Sequence, residues 1–307
     1  MYEAHYGLRE KPFSLIPDPA FLFLSRSHKL ALNLLEYGLS DQTGFIVITG
    51  EVGSGKTTLI RRLLGTAAAD LLVGMITNTH ASLGELMTSV LRAFDLKTAG
   101  MDKIDQYYAF IDFAIARYAE GKRCVLIIDE AQNLTPPILE EMRMLSNVNA
   151  DKDFVLQLIL VGQPELKETL RRTDLRQFAQ RISVFHDLAP LVLKDTIGYI
   201  QHRLTIAGGS PDIIDVGACA AIHHYAFGTP RLINILADLA LVIGFAEDRH
   251  TIDVDLVFEA LDAQQSSGLE ILRKDPEDMS REERKREILR EVSKNWPLLK
   301  DVSKAAG

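Results

Sequence analysis

The sequence predicts an α/β fold, a parallel sheet flanked by helices, with a C-terminal all-helical domain after it. Two observations carry that reading. Apolar runs of strand length alternate with helix-spaced segments from residue 45 to about 162, an order that calls for parallel strands covered by helices on both faces. After Pro190 the segments have helical spacing and no strand-like run remains.

In chain order, residues 12–28 hold prolines at 12, 17 and 19, which argue against a helix there. Residues 29–40 have helical spacing and end near Gly38. GFIVITG (44–50) reads as a buried strand stopped by glycine, and SGKTTLIRRLLGTA (54–67) as the following helix. LLVGMITN (71–78) is a second strand and ASLGELMTSVLRAFDL (81–96) a helix. DQYYAFIDFAIARYAEG (105–121) is another helix, with its stop at Gly121. RCVLIIDE (123–130) is a third strand, PPILEEMRMLSNV (136–148) a helix opened by prolines, and FVLQLILVG (154–162) a fourth strand. Four helices are expected at 195–209, 216–227, 229–247 and 254–265. A polar stretch then leads to a helix with Ile288, Leu289, Val292 and Trp296 on one face, suited to a partner, a neighbouring subunit or its own domain. The expected domains are 1–189, 190–265 and a linker with helix at 266–307.

The 307 residues are 47% hydrophobic and 25% charged, enough for a sizeable core. The net charge is −8, and residues 273–307 are net basic, so the body is more acidic still. That gives no general pull toward phosphate backbones. Cys124 and Cys219 lack CxxC spacing, against a zinc site or disulfide framework. The N-terminus lacks a secretory pattern, and no apolar run reaches about 18 residues. A cytoplasmic protein is expected.

The chemistry concentrates in Gly50-Glu51-Val52-Gly53-Ser54-Gly55-Lys56-Thr57, a full match to GxxxxGK[ST] between a predicted strand and a predicted helix. Glycines let backbone N–H groups converge on an anion, and the helix N-terminus adds positive potential. Lys56 is expected on the β- and γ-phosphates, the hydroxyl of Thr57 on Mg²⁺, and Thr58 beside it on the nucleotide. VLIIDE (125–130) ends an apolar strand in two carboxylates. Asp129 is expected to hold Mg²⁺ through water, and Glu130 to orient or deprotonate the attacking water. ATP with Mg²⁺ is therefore the expected ligand, and hydrolysis the expected reaction.

Further positions resemble the AAA+ ATPases: Gln163 at the tip of the fourth strand, Arg176 and Arg181 in LRQFAQRIS, and Arg231 in Gly228-Thr229-Pro230-Arg231. The resemblance implies sensor 1 at Gln163, an arginine finger at Arg181 with Arg176 its rival, and sensor 2 at Arg231. It also implies a helical lid over the nucleotide, and a ring or filament in which the finger enters the neighbour's site. MYEAHYGL, KPFSLIPDP, LSRSHKLAL, GFIVITGEVGSGKTT, IDEAQNL, LEEMRMLSN, ILVGQPEL and GTPRLIN resemble the ExeA/GspA-type secretion ATPases. Within that group the chain is most similar to stand-alone ATPases of exosortase (PEP-CTERM) and exopolysaccharide loci. Fuller members continue into a transmembrane helix and a peptidoglycan-binding domain, neither of which is read here. The resemblance implies secretion or envelope-assembly partners, including a membrane protein that would hold the chain at the inner membrane. The alternative is an ATP-dependent adaptor on duplex DNA, like the transposition regulators that share this core. Pro12, Phe13 and His28 are implied near the adenine; Phe13, Phe21 and Phe23 read equally as core. His223 and His224 lack a metal-ligand pattern, and Cys124 reads as a small buried residue.

Overall fold

The computed structural model describes all residues except 42–43, 67–69, 78–85, 148, 151–152, 267–270, 274–278 and 296–307. They fall into two compact units. One comprises Arg26–Val52 and Lys56–Ala189; the other comprises Met1–Ser25, Gly53–Gly55 and the chain from Pro190.

The first is the α/β unit. Its helices are α1 (Arg26–Ser40), α2 (Lys56–Thr66), α3 (Leu86–Ala93), α4 (Lys103–Ala119), α5 (Pro136–Leu145), α6 (Pro164–Leu170) and α7 (Arg176–Ala179). Its strands are β1 (Phe45–Gly50), β2 (Leu71–Ile76), β3 (Arg123–Ile128), the short pair β4 (Asn149–Ala150) and β5 (Asp153–Phe154), β6 (Leu156–Gly162) and β7 (Ile182–Leu188). The main sheet is parallel throughout, in the order β2-β3-β6-β1-β7. Every residue of β1 and β6 is buried, as expected for central strands covered on both faces.

Strand β7 is not among the four strands expected from sequence. At the sheet edge its residues alternate, with Val184 and Leu188 buried and Ser183, Phe185 and Asp187 exposed. ISVFHDL therefore offers no continuous apolar run. The expected strand at 154–162 divides into β5 and β6. The helix expected over 81–96 is described only from Leu86 onward; residues 81–85 lie outside the described residues. Register brings the ends of the central strands level: Thr49 pairs with Gly162, Ile128 with Leu160. Gly50, Asp129 and Gln163 thus leave the same carboxyl edge of the sheet, where ligands of open α/β sheets bind.

The helical unit contains α8 (Leu193–Ile206), α9 (Val216–Ala226), α10 (Pro230–Ala246), α11 (Val254–Gln265) and α12 (Arg281–Asn295). Asp215 and Asp253 cap α9 and α11, each accepting from a backbone N–H two or three positions into its helix. Tyr2, Tyr6, Leu8, Phe13 and Phe21 lie in the same core as Tyr225 and Phe258, so Phe13 and Phe21 are core residues. Arg203, buried on α8, fastens that N-terminal segment. It donates to the Pro12 carbonyl, to the Ser14 carbonyl at 3.3 Å and to the Tyr199 hydroxyl at 2.9 Å, and stands 4.8 Å over the Phe21 ring. A 3-10 turn at Pro19–Phe21, capped by Asp18, interrupts the proline-rich stretch.

Ile288 and Val292 of α12 are buried in this core and Leu289 packs against it; Trp296 lies outside the described residues. Among the described residues no helix is long and apolar enough to cross a membrane.

Candidate functional site

The glycine-rich turn runs from the end of β1 into α2. Gly53 has φ +78° and Gly55 φ +98°, backbone that L side chains rarely adopt. A side chain at Gly53 would also collide with Arg231, whose Cβ lies 2.3 Å from where a Cβ would stand. The Arg231 N–H donates to the Gly53 carbonyl at 3.2 Å, so Arg231, in the first turn of α10, meets the tip of the turn through its backbone.

Lys56 is buried, and its ammonium donates to the Gly50 carbonyl at 2.6 Å and to the Glu51 carbonyl at 2.9 Å. Burial pushes its pKa below the ordinary value, against the pull of the Glu130 and Asp129 carboxylates. The Thr57 hydroxyl donates to Asp129 Oδ2 at 3.0 Å. Asp129 Oδ1 accepts from the Glu130 N–H at 3.0 Å.

Glu130 sits at φ 54°, ψ 37°, a left-handed backbone that costs a non-glycine residue on the order of 1 kcal/mol or more and clusters at functional sites. Its Oε2 accepts from Gln132 Nε2 at 2.6 Å and from Gln163 Nε2 at 3.1 Å. The Gln163 N–H in turn donates to Gln132 Oε1 at 3.0 Å. Gln132 thus joins the two strand ends. The sequence reading missed it. Its signal was an amide side chain two positions past Asp129-Glu130 in IDEAQNL.

Lys56, Thr57, Asp129, Glu130 and Gln163 therefore come together, with Gln132 among them. Arg181 has other partners: its Nη1 donates to Ser146 Oγ at 3.1 Å and to the Arg143 carbonyl at 3.5 Å, at the end of α5. Arg176 is exposed on α7. His28 is buried in α1. His223 Nδ1 lies 2.9 Å from the Thr196 hydroxyl.

The parallel sheet and this turn define a P-loop fold of the AAA+ class. Residues 39–170 match the family described as AAA domain. Solved structures share the fold. One is the Aeropyrum pernix ORC2 protein in its ADPNP–ADP complexes: TM-score 0.63, 17% identity, 85% of this chain and 73% of that one. Cdc6p from Pyrobaculum aerophilum also gives 0.63, at 16% identity, covering 82% and 70%. The Thermotoga maritima RuvB Holliday junction branch migration motor gives 0.53, at 18% identity, covering 78% and 70%. Over 255 residues the chain is 40% identical to General secretion pathway protein A of Aeromonas hydrophila. The chain is therefore similar to AAA+ proteins of the general secretion pathway protein A type. The alignment takes in 82% of this chain and 46% of that protein, so the chain spans about half the length of this curated relative.

Proposed function

We propose that the chain hydrolyses ATP with Mg²⁺, working as an oligomer that drives or regulates secretion or envelope assembly. The observation that carries the hydrolytic part is the placement of Glu130 against Asp129 and Thr57, with its carboxylate held by two amides. A structural acidic pair at a strand end would need no such positioning.

The donor set fits the cation. A hydroxyl and a carboxylate oxygen 3.0 Å apart are the hard oxygen ligands that Mg²⁺ prefers, beside an ammonium suited to phosphate. Thr57, and Asp129 through water, would hold it, and bound there it neutralises phosphate charge. The chain's own residues supply the rest. Gly50 to Thr58 cradle the phosphates, and Lys56 gives up its carbonyl partners for phosphate oxygens. Glu130 accepts the proton of the attacking water, and Gln163, bonded to Glu130, marks the position of the γ-phosphate. Arg231 is proposed to act from the lid and Arg181 across a subunit interface; exposed Arg176 is the rival. Secretion or envelope partners are supported by the 40% identity to General secretion pathway protein A, and localisation at the inner membrane through such a partner goes with them.

Glu130→Gln tests the assignment. ATP affinity is expected to stay within a few-fold while turnover is lost; persisting turnover removes Glu130 as the base. Hydrolysis per subunit, measured against protein concentration with and without duplex DNA, tests the oligomeric part. A rate that rises with concentration and ignores DNA supports shared sites and a protein client. A rate raised strongly by DNA replaces that reading with a duplex-bound adaptor.

A further inference from the structure

The helical unit holds a second group of potential ligands that the nucleotide chemistry does not use. His5, Asp248 and His250 present an imidazole nitrogen, a carboxylate oxygen and another imidazole nitrogen, all within 4.8 Å of one another. We propose that these three residues bind a divalent transition-metal ion of the zinc class.

His5 is the fixed member. Its ring is largely covered, with Tyr6 edge-on at 4.7 Å and Phe245 edge-on at 5.5 Å. The exposed His250 ring stacks on it at 4.3 Å and turns out of that stack to aim a nitrogen at the same ion. Its Nε2 lies 3.1 Å from the Arg249 carbonyl. A carbonyl only accepts, so this contact places the proton on Nε2 and leaves the Nδ1 lone pair for a cation. Nδ1 faces Asp248 Oδ1 at 3.9 Å. A backbone carbonyl that orients a histidine through its other nitrogen is the usual outer partner of a metal-bound imidazole.

Asp248 and His250 are held in place by the short segment that carries them. The Asp248 N–H donates to the Phe245 carbonyl at 3.2 Å and the Arg249 N–H to the Gly244 carbonyl at 2.8 Å. The Arg249 guanidinium pairs with Asp253 at 2.7 Å. Beyond them, the Ile252 N–H donates to the Ile213 carbonyl at 2.7 Å. The backbone is thus pinned on both sides while the Asp248 and His250 side chains are exposed. Ligands on tetrahedral zinc stand roughly 3.4 Å apart, given metal–nitrogen distances near 2.0–2.1 Å. Rotation of two exposed side chains closes the difference. Two imidazoles and one carboxylate favour zinc, nickel or copper over Mg²⁺, which demands oxygen. Three protein ligands leave the fourth position to water.

The test is titration of the nucleotide-free full chain with ZnCl₂ by calorimetry, without Mg²⁺, and with CoCl₂ by visible absorption. One-to-one binding is expected, with cobalt bands of tetrahedral nitrogen–oxygen ligation. Both cysteines are buried and supply no competing thiolate. His250→Ala and Asp248→Asn, each at an exposed position, are expected to weaken zinc binding at least about tenfold, since loss of even an outer partner of a ligand costs about 10–100-fold. Their thermal midpoints without metal should match the parent, which separates lost binding from lost folding. Failure to bind zinc one-to-one overturns the proposal, as does equal binding by the parent and both variants.

Discussion

Gln132 donates to Glu130 and accepts from Gln163, so one side chain sets the position of both. Gln132→Ala should therefore lower kcat by roughly tenfold, about 1.4 kcal/mol of barrier, while ATP affinity changes little. Single-turnover kinetics with a nucleotide-binding assay checks this; a kcat that rises would mean that Gln132 restrains the base. His202 gives a pH prediction. Burial, and then the Arg203 charge, hold its pKa below the ordinary value. As pH falls through about 6.5 the unfolded chain gains a proton there before the folded chain does. Stability tied to His202 is therefore present above that window and lost as pH drops below it. His202→Gln should flatten the fall in urea midpoint between pH 7.5 and 5.5; an unchanged slope would refute this. The cluster of Lys56, Thr57, Asp129 and Glu130 was legible because spacing alone sets its members' places: Lys56 and Thr57 follow a fixed turn, and Asp129 and Glu130 end an apolar strand. Gln132 was not, because what distinguishes it is a bond between two strand ends some thirty residues apart in sequence.

At the scale of elements, central strands were legible and the edge was not. β1 and β6 are buried on both faces and read as apolar runs; β7 is half exposed and reads as mixed. Likewise the face of α12 was plain in sequence, while its covering by the helical unit was one of several possible fates. The turn from α9 to α10 yields a prediction of its own. Phe227 and Gly228 both take positive φ, and a Cβ at Gly228 would stand 2.1 Å from the Leu191 carbonyl oxygen. Gly228→Ala should destabilise the chain by about 3 kcal/mol, combining backbone strain with a clash against main chain. Chemical denaturation reads this directly, and a loss under about 1 kcal/mol would show that the turn relaxes. Arg203→Met tests the hold on the N-terminal segment. It leaves the Pro12 and Ser14 carbonyls without their guanidinium, at a cost of about 3 kcal/mol. Faster proteolysis within residues 9–25 is expected; unchanged cleavage there would assign the hold to Phe13 and Phe21 alone.

For the molecule as a whole, the ordering of the chain matters as much as its contacts. The helical unit takes its first residues from Met1–Ser25 and the rest from beyond Pro190, with nearly the whole α/β unit encoded between them. Contacts such as those of Tyr6 with Leu241, or of Arg203 with Pro12, close very long loops, and loops of that kind form late. On a ribosome, at roughly 5–20 residues per second, Tyr2, Tyr6, Leu8, Phe13 and Phe21 emerge ahead of their partners and wait on the order of ten seconds or more for them. During that interval an aromatic, proline-punctuated segment stays unburied while the parallel sheet is already being made. Nascent chains of this protein should therefore engage holding chaperones through the segment Met1–Ser25, and release them only after α11 has left the exit tunnel.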